Sequence, residues 1–480
     1  MAKHKKSTFE RLQYRDMNRS QRRELEHRLG GADPGLKVVH PDAAGIDVGS
    51  GSHYVAVPGD RDEQPVREFG SWTSDLKRMA KWLKECRIGT VALQATGVYW
   101  VAWQEILEEE RIEVFVVNAR GTKNLPGRKS DVQECQWLMK LHTYGLLRNS
   151  FRPPEEIRRV RTIWRQRCRL VEEAGRTVQQ MQKALTKMNV QLTNTLTDVS
   201  GASGQAIIRA ILKGERDPWV LAKLRDRRVR ASEAEIAHSL EGKWQDDILF
   251  ELRQVVEAYD FYQGQIKACD LELEKYMAAL PDRQIAGREE EPEREEAEKR
   301  KHKRSHAKNR PGFDLESELR RTMGADLSSI DGIGVGTGQM ILSELGADLS
   351  AFPDEDHFAA WLQLVPRRDI TAGKVIRHVR AEGRQRVANA LRMAAETLSR
   401  SNSYLGARYR KLRGRLGGPK AVKAMARYLA CLVYRLLTKG KAYVDRGAAY
   451  YEGQRRQQEI SALKRKAVAL GMTLVPAGNN

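Results

Sequence analysis

The sequence predicts an α/β domain near the N-terminus, a long helical segment after it and a mainly helical C-terminal domain. Between residues 42 and 150, short apolar runs bounded by turn residues alternate with helical periods. Apolar residues then recur in steps of three and four through residues 157–285, and helical patterning rich in Arg and Lys continues from residue 313 to 444. A chain of 480 residues has room for about three such domains.

The first domain has the predicted element order β-β-β-α-β-α-β-α. The strands are expected at residues 43–49, 52–59, 66–71, 90–93 and 112–117. The helices are expected at residues 74–86, 99–109 and 129–144. This is the order of the ribonuclease H-like fold, in which a mixed sheet starts antiparallel and continues parallel through helical crossovers.

The remaining boundaries follow changes in composition. We expect the following segments: a basic arm at 1–41, the α/β domain at 42–150, a helical coiled-coil region at 151–285, a charged linker at 286–312, the C-terminal domain at 313–445 and a basic helical tail at 446–480. The two long helices of the third segment have a heptad-like seam. From the sequence they could form an antiparallel hairpin within one chain or pair between subunits.

The charge balance points to a polyanionic partner. There are 84 Lys and Arg against 63 Asp and Glu, a net charge of +21, which is typical of nucleic-acid-binding proteins. The densest apolar stretch, 429–434, ends at Arg435 and is shorter than the ~18 residues of a membrane span, so no membrane is expected as a partner. Five scattered cysteines without a CxxC pair argue against a disulfide framework or a structural zinc site.

Three acidic residues are candidates for metal-dependent chemistry. Asp47 lies in an apolar strand, where an uncompensated charge is costly, and Asp131 and Glu134 share one face of a predicted helix. In the predicted fold these carboxylates could converge and hold Mg²⁺ or Mn²⁺ for phosphodiester chemistry. The alternative is that they are solvated acids and that Asp131 caps its helix.

Two further features accompany these acids. Gln94 ends the fourth strand, where it would lie beside Asp47 and could offer an amide oxygen to a metal. Lys123, Arg128 and Lys129 belong to a polar loop whose cations suit phosphate contacts. A merely solvated loop is the competing interpretation.

The C-terminal domain contains a second set of candidates. Gly332 and Gly334 lie in an Asp-Gly-Ile-Gly turn that resembles a helix-hairpin-helix element, in which backbone N–H groups approach a phosphate. Thr371 lies in a polar loop, 366–374, ahead of a basic segment with Lys374, Arg377 and Arg380. A hydroxyl among such cations could be a nucleophile, although Thr371 read alone is an ordinary turn residue.

With these residues identified, the chain resembles the Piv-type insertion-sequence transposases, the IS110 and IS1111 group. The resemblance extends over about 400 residues. It is carried by Gly45-Ile46-Asp47, residues 95–100, Asn118-Ala119-Arg120, residues 127–131, residues 331–334, Gly373-Lys374-Val375, Leu412-Arg413 and Pro419-Lys420-Ala421. The resemblance implies a RuvC-like domain with an acidic tetrad and a C-terminal transposase domain with a catalytic serine.

The resemblance also implies partners and a cellular setting. Members recombine donor and target DNA with a structured noncoding RNA, the bridge RNA, whose loops base-pair with both DNAs. They require Mg²⁺ and act as homo-oligomers, dimers to tetramers. The setting implied is the bacterial cytoplasm, in association with the nucleoid.

Carried across by position, Asp47 and Asp131 match the first and third acids of the tetrad. Glu134 lies where the fourth acid is commonly Asp. Gln94 lies where the second is commonly Glu, which removes one negative charge and weakens the expected Mg²⁺ affinity. Thr371 aligns with the serine, and its methyl group crowds the approach to phosphorus.

Three functions are therefore weighed. The first is an RNA-guided transposase that forms a covalent protein–DNA intermediate through Thr371. The second is a RuvC-like, metal-dependent junction nuclease that uses water. The third is a catalytically impaired homologue that binds nucleic acid without cutting it.

Overall fold

A computed structural model describes residues 35–95, 97–118, 130–285, 309–371, 374–379, 385–440 and 447–473. The chain divides into two compact units, one of Met1–Arg152 with Ile370–Val375 and one of Pro153–Asp369 with Ile376–Asn480. Several predicted features lie outside the described residues, namely most of the basic arm, most of the charged linker and the side chains of Lys123, Arg128, Lys129, Thr371, Lys374, Arg377 and Arg380.

The first unit contains a five-stranded mixed sheet of strand order β3-β2-β1-β4-β5. Its strands are β1 Ala43–Val48, β2 Ser52–Ala56, β3 Val66–Gly70, β4 Thr90–Gln94 and β5 Glu113–Val117. The pairs β1–β2 and β2–β3 are antiparallel, whereas β1–β4 and β4–β5 are parallel. The mixed sheet predicted from the sequence is confirmed.

Three helices flank this sheet, and their positions agree with the sequence prediction to within about two residues. They are α1 Thr73–Glu85, α2 Trp100–Glu109 and α3 Asp131–Thr143. Ile46 of β1 packs in one core with Leu83 of α1 and Trp103 of α2. Side chains alternate between the two faces of a strand, so the neighbours of Ile46, Gly45 and Asp47, lie on the opposite face.

Helix α3 covers that opposite face and lies against β1 at Gly45. A Cβ atom on Gly45 would overlap the backbone of Cys135 and of Met139, so a glycine is required for so close an approach. Nearer the C-terminal end of α3, the buried His142 Nε2 lies 2.9 Å from Thr90 Oγ1 of β4. Burial, with the neighbouring His40, lowers the pKa of His142 to about 3, so this ring is neutral and its hydrogen bond persists at physiological pH.

The second unit begins with two long helices, α4 Glu155–Lys187 and, after the short helices α5 Leu192–Thr195, α6 Ala202–Leu212, α7 Pro218–Ala222 and α8 Glu233–Ser239, α9 Asp246–Ala278. Arg167 pairs with Asp270, and Lys187 pairs with Glu251. The pairing partners run in opposite directions along the chain, so α4 and α9 form an antiparallel hairpin within one chain. Of the two arrangements left open by the sequence, the structure shows this one.

At three places in α9 the buried residue is the one that follows the residue predicted from the apolar spacing. Val256, Asp270 and Met277 are buried, where the apolar periodicity pointed to Val255, Cys269 and Tyr276. At Asp270 the physical reason is an ion pair inside the hairpin: Arg167 is 3% exposed and Asp270 8%, and Asp270 also accepts from the Gly312 backbone N–H. A buried charge pair is invisible to a search for apolar spacing.

The rest of the described chain is mainly helical, as predicted. The helices are α10 Leu315–Met323, α11 Val335–Leu345, α12 Glu355–Trp361, α13 Arg386–Thr397, α14 Tyr404–Leu416, α15 Gly418–Lys439 and α16 Gly447–Ala469. The interpretation of residues 366–374 as a polar loop is wrong, because strands β6 Arg367–Thr371 and β7 Lys374–Val379 form a two-stranded sheet there. Among the described helices, none is both long and apolar enough to cross a membrane.

Substituting Gly45 tests the contact between α3 and β1. We expect Gly45→Ala to lower the free energy of unfolding by about 1–3 kcal/mol, because the added methyl group must push the helix backbone off the strand. Thermal unfolding followed by circular dichroism checks this. Gly59→Ala is the matched control, since nothing lies within 4 Å of a Cβ at Gly59, and an equal effect of both substitutions would contradict the account.

Candidate active site

A row of register partners crosses the face of the sheet that α3 covers. Asp47 of β1 is opposite Tyr54 of β2, and Tyr54 is opposite Glu68 of β3. On the other side, β1 and β4 run parallel with Ile46 beside Leu93, so the next residue in register with Asp47 is Gln94. Glu68, Tyr54, Asp47 and Gln94 therefore point to one face in strand order.

The first turn of α3 adds two carboxylates to this face. Ser130 caps the helix, and its hydroxyl accepts from the Gln133 backbone N–H at 3.3 Å. Asp131 is thus not the capping residue, and Asp131 and Glu134 occupy the first turn. The partial positive charge of a helix N-terminus interacts favourably with carboxylates at these positions.

Electrostatic effects on two neighbours show that Asp131 lies near the row. The pKa of the Cys135 thiol is raised to about 12, chiefly by burial and to a smaller extent by the charges of Asp47 and Asp131. The pKa of Tyr54 is raised first by its hydrogen bond to Glu68, then by burial, and then by the charges of Glu68 and Asp131. The structure therefore brings Asp47, Asp131 and Tyr54 into one neighbourhood, with Cys135 kept protonated beneath them.

The kinds of side chain in this neighbourhood suit a hard divalent cation. Carboxylate and amide oxygens are the ligands that Mg²⁺ and Mn²⁺ prefer. Within the described ranges, no three Asp, Glu, His or Cys side chains are arranged to enclose one ion. Mg²⁺ is usually held by one or two carboxylates and completes its shell with waters and substrate phosphate oxygens, so this donor set fits an ion shared with a bound phosphate.

Gln94 is the most buried member of the row. Its side chain is 7% exposed, whereas Asp47 and Glu134 are half-buried and Asp131 is exposed. The amide beside Asp47 carries no charge, so the region around Asp47 has one carboxylate fewer than a glutamate at the same position would give.

Tyr54 and Glu68 are residues that the sequence interpretation missed. Each lies in a short strand that the sequence pattern predicts, but that pattern does not show which residues of β2 and β3 lie opposite Asp47. The structure supplies that register, and with it a fourth carboxylate, Glu68, held through the Tyr54 hydroxyl.

The C-terminal candidates are placed as follows. Thr371 is the last residue of β6, and the segment Ile370–Val375 belongs to the same compact unit as Asp47, Asp131 and Glu134. Lys374 and Arg377 lie in β7.

The turn before α11 requires a glycine at its first candidate position. Gly332 has a φ of +88°, and a Cβ there would press on Ala394 O, so a glycine is required. Asp331 Oδ2 accepts from Ser401 Oγ at 2.7 Å and from Ser403 Oγ, which fastens the turn to the start of α14. Gly334 is the N-cap of α11 without a side-chain cap, and phosphate binding there stays a prediction.

Comparison with known families identifies the chain. A transposase model of the DEDD IS110 type matches residues 44–190. A second model, transposase IS116/IS110/IS902 family, matches residues 324–410. In both regions the chain matches an IS110-type transposase. The sequence matches no curated protein.

The two family matches indicate the class of activity. Both matched families are transposases, which indicates DNA transposase or recombinase activity and DNA as a partner. The first match contains Asp47, Gln94, Asp131 and Glu134, and a DEDD domain implies dependence on a divalent metal. The second match contains Thr371 and the turn before α11.

Proposed function

We propose that this transposase is an RNA-guided DNA recombinase that cuts and rejoins strands through Asp47, Asp131, Glu134 and the Thr371 hydroxyl. The observation that carries the proposal is the packing of α3 on β1 at Gly45. It sets Asp47, two residues along β1, beside the first turn of α3 with its two carboxylates.

The acids hold the metal in this proposal. Asp47, Asp131 and Glu134 would share Mg²⁺ or Mn²⁺ with a phosphate oxygen of the DNA. When bound, the ion activates the attacking oxygen and stabilises the leaving oxygen of a phosphodiester. Gln94 orients Asp47 from the neighbouring strand and can lend its amide oxygen, and Tyr54, held by Glu68, borders the same face.

Thr371 is the proposed nucleophile. Its Oγ attacks phosphorus, so that an Oγ–P bond forms as the P–O3′ bond breaks. The hydroxyl proton passes to solvent or a neighbouring carboxylate, and the departing oxygen is protonated to a free 3′-hydroxyl. The reverse displacement by another 3′-hydroxyl rejoins the strand, so no ATP is needed, in agreement with the lack of a GxxxxGK[ST] motif in the sequence.

The segment Ile370–Val375, which contains Thr371, supports this role because it belongs to the compact unit of the three acids. Lys374 and Arg377 follow on β7 and are proposed to contact phosphates. Lys123, Arg128, Lys129 and Arg380 are assigned the same role from their sequence positions.

RNA guidance is the part of the proposal that concerns specificity. A net charge of +21 suits recognition of nucleic-acid backbone, while base pairing by a structured noncoding RNA would select donor and target DNA. Gly332 and Gly334 would contribute backbone N–H groups to phosphates. The assembly proposed is a homo-oligomer, a dimer to a tetramer.

Thr371→Ala tests the nucleophile. We expect it to reduce the covalent protein–DNA adduct by at least about 10³-fold, since removing a nucleophile removes the covalent route, whereas Thr371→Ser keeps the hydroxyl and keeps the adduct. The adduct is measured with labelled DNA on a denaturing gel, and Thr162→Ala, an exposed threonine of α4, is the control. Metal-dependent cutting by Thr371→Ala without an adduct would select the junction nuclease, and DNA binding without cutting by the wild-type protein would select the impaired homologue.

Sequencing of co-purifying RNA tests guidance. The protein is expressed with several hundred bases of its native flanking DNA, and the bound RNA is sequenced after a salt wash. We expect one discrete, structured RNA encoded in the flank. Random cellular RNA that is removed by salt would contradict RNA guidance while leaving the recombinase chemistry to be decided by the adduct.

A further inference from the structure

We propose that the turn between α14 and α15 carries a docking surface for the sugar–phosphate backbone of duplex DNA. The α14–α15 surface is formed by Lys411, Arg413, Arg415 and Lys420. It deepens the proposed function and rests on it in one respect only, namely that nucleic acid is the substrate. The cations assigned above to phosphate contact are all different residues.

The first observation is a local excess of positive charge. From Thr397 to Val444 the sequence contains twelve Lys and Arg and no Asp or Glu. Elsewhere in the described second unit, cations alternate with acids, as in Lys213 to Arg230, where Glu215, Asp217 and Asp226 intervene. The charge of α14 and the start of α15 therefore has no local counter-charge along the chain.

The second observation separates cations with structural partners from cations without them. Arg427 pairs with Asp356 at 2.5 Å and Arg435 with Glu355, and the Arg408 guanidinium lies 4.0 Å from the Tyr428 ring centroid. These three fasten α14, α15 and α12 together.

The four residues of the α14–α15 surface behave differently. Lys411, Arg413, Arg415 and Lys420 are all exposed, and none forms an ion pair with an acid in the part of the chain that the structure describes. Their charges face solvent without a partner, and side chains with this freedom suit an external anion.

The turn itself leaves the surface open. α14 ends at Leu416, Gly417 has a φ of +77°, and α15 begins at Gly418. Nothing lies within 4 Å of where a Cβ would be at Gly414, Gly417 or Gly418. A polymer backbone can therefore approach the turn closely, with the last turn of α14 and the first turn of α15 on either side.

Helix stabilisation accounts for only part of this charge. Arg413 and Arg415 lie in the last turn of α14, where cations are favourable by roughly 0.3–1 kcal/mol. Lys420 lies in the first turn of α15, where the same effect is unfavourable. A cation placed against the helix dipole, beside three others, points to a ligand anion rather than to helix stability.

The shape and chemistry favour a nucleic-acid backbone over a protein or a lipid surface. Lys411 to Arg415 covers about 6 Å of helix axis, over which duplex DNA presents several phosphates at one charge per about 1.7 Å. Among the described residues, no large hydrophobic side chain of α14 or α15 is exposed. Aromatic anchors for a protein partner and apolar groups for membrane insertion are thus missing from these two helices.

The test compares two sets of charge removals in the full-length protein. The surface variant is Lys411→Gln, Arg413→Gln, Arg415→Gln and Lys420→Gln. The control variant is Lys213→Gln, Lys223→Gln, Arg227→Gln and Arg230→Gln, which removes two Lys and two Arg that are also exposed. Fluorescence anisotropy measures the Kd for a labelled duplex DNA and a labelled structured RNA over a range of salt concentrations, and circular dichroism checks that each variant is folded.

We expect the surface variant to bind at least about tenfold more weakly at moderate salt. Its slope of log K against log salt falls by about 3 to 4, since each duplex phosphate contact contributes about 0.9. A variant with Lys411→Arg, Arg413→Lys, Arg415→Lys and Lys420→Arg keeps the charge and is expected to bind as the wild-type protein does. The loss is expected on the duplex DNA, and a loss confined to the structured RNA would overturn duplex DNA as the occupant.

Wild-type affinity and slope in the surface variant would overturn the proposal, as would an equal loss in the control variant or binding of neither nucleic acid by the wild-type protein. The adduct measurement keeps this separate from the proposed function. Adduct formation with an unaffected surface variant would refute only the surface, and surface-dependent binding without any adduct would refute only the recombinase chemistry.

Discussion

The contact of α3 with β1 at Gly45 is the constraint on which the candidate site depends. Helix backbone and strand backbone touch there with no side chain between them, so the first turn of α3 has little freedom relative to the central strand. Asp47 lies on the same face two residues further on, and Asp131 and Glu134 open the helix. Without the close packing of α3 on β1, Asp47 would no longer lie near Asp131 and Glu134.

Much of the first unit follows from the sequence because its signals are local. Apolar alternation and turn residues predict the order of strands and helices along the chain. Acids in an apolar strand or in the first turn of a helix point to Asp47, Asp131 and Glu134 as candidates. Tyr54 and Glu68 could not be found this way, because strand register is set by pairing across the sheet. The Arg167–Asp270 pair was missed for a related reason, since it is a contact between residues distant in sequence.

The strand that carries Thr371 shows a different kind of error. Its many charges suggested a loop, yet Ile370-Thr371 and Val375-Ile376 are β-branched pairs on either side of Ala372-Gly373, a pattern that favours paired strands. The role of a cation also depends on its partners in the structure, which composition does not show. Cations of α4 and α15 that pair with acids stabilise the fold, whereas those at the α14–α15 turn remain available to a polyanion.

Mn²⁺ binding to the protein–DNA complex, followed by electron paramagnetic resonance, tests most directly whether the β1–α3 contact builds a metal centre. The account predicts that Asp47→Asn weakens Mn²⁺ binding at least about tenfold, that Gln94→Glu tightens it by adding a charge beside Asp47, and that Glu110→Gln, which alters an exposed acid paired with Lys84, leaves it unchanged. Unaltered Mn²⁺ affinity in Asp47→Asn would contradict the account.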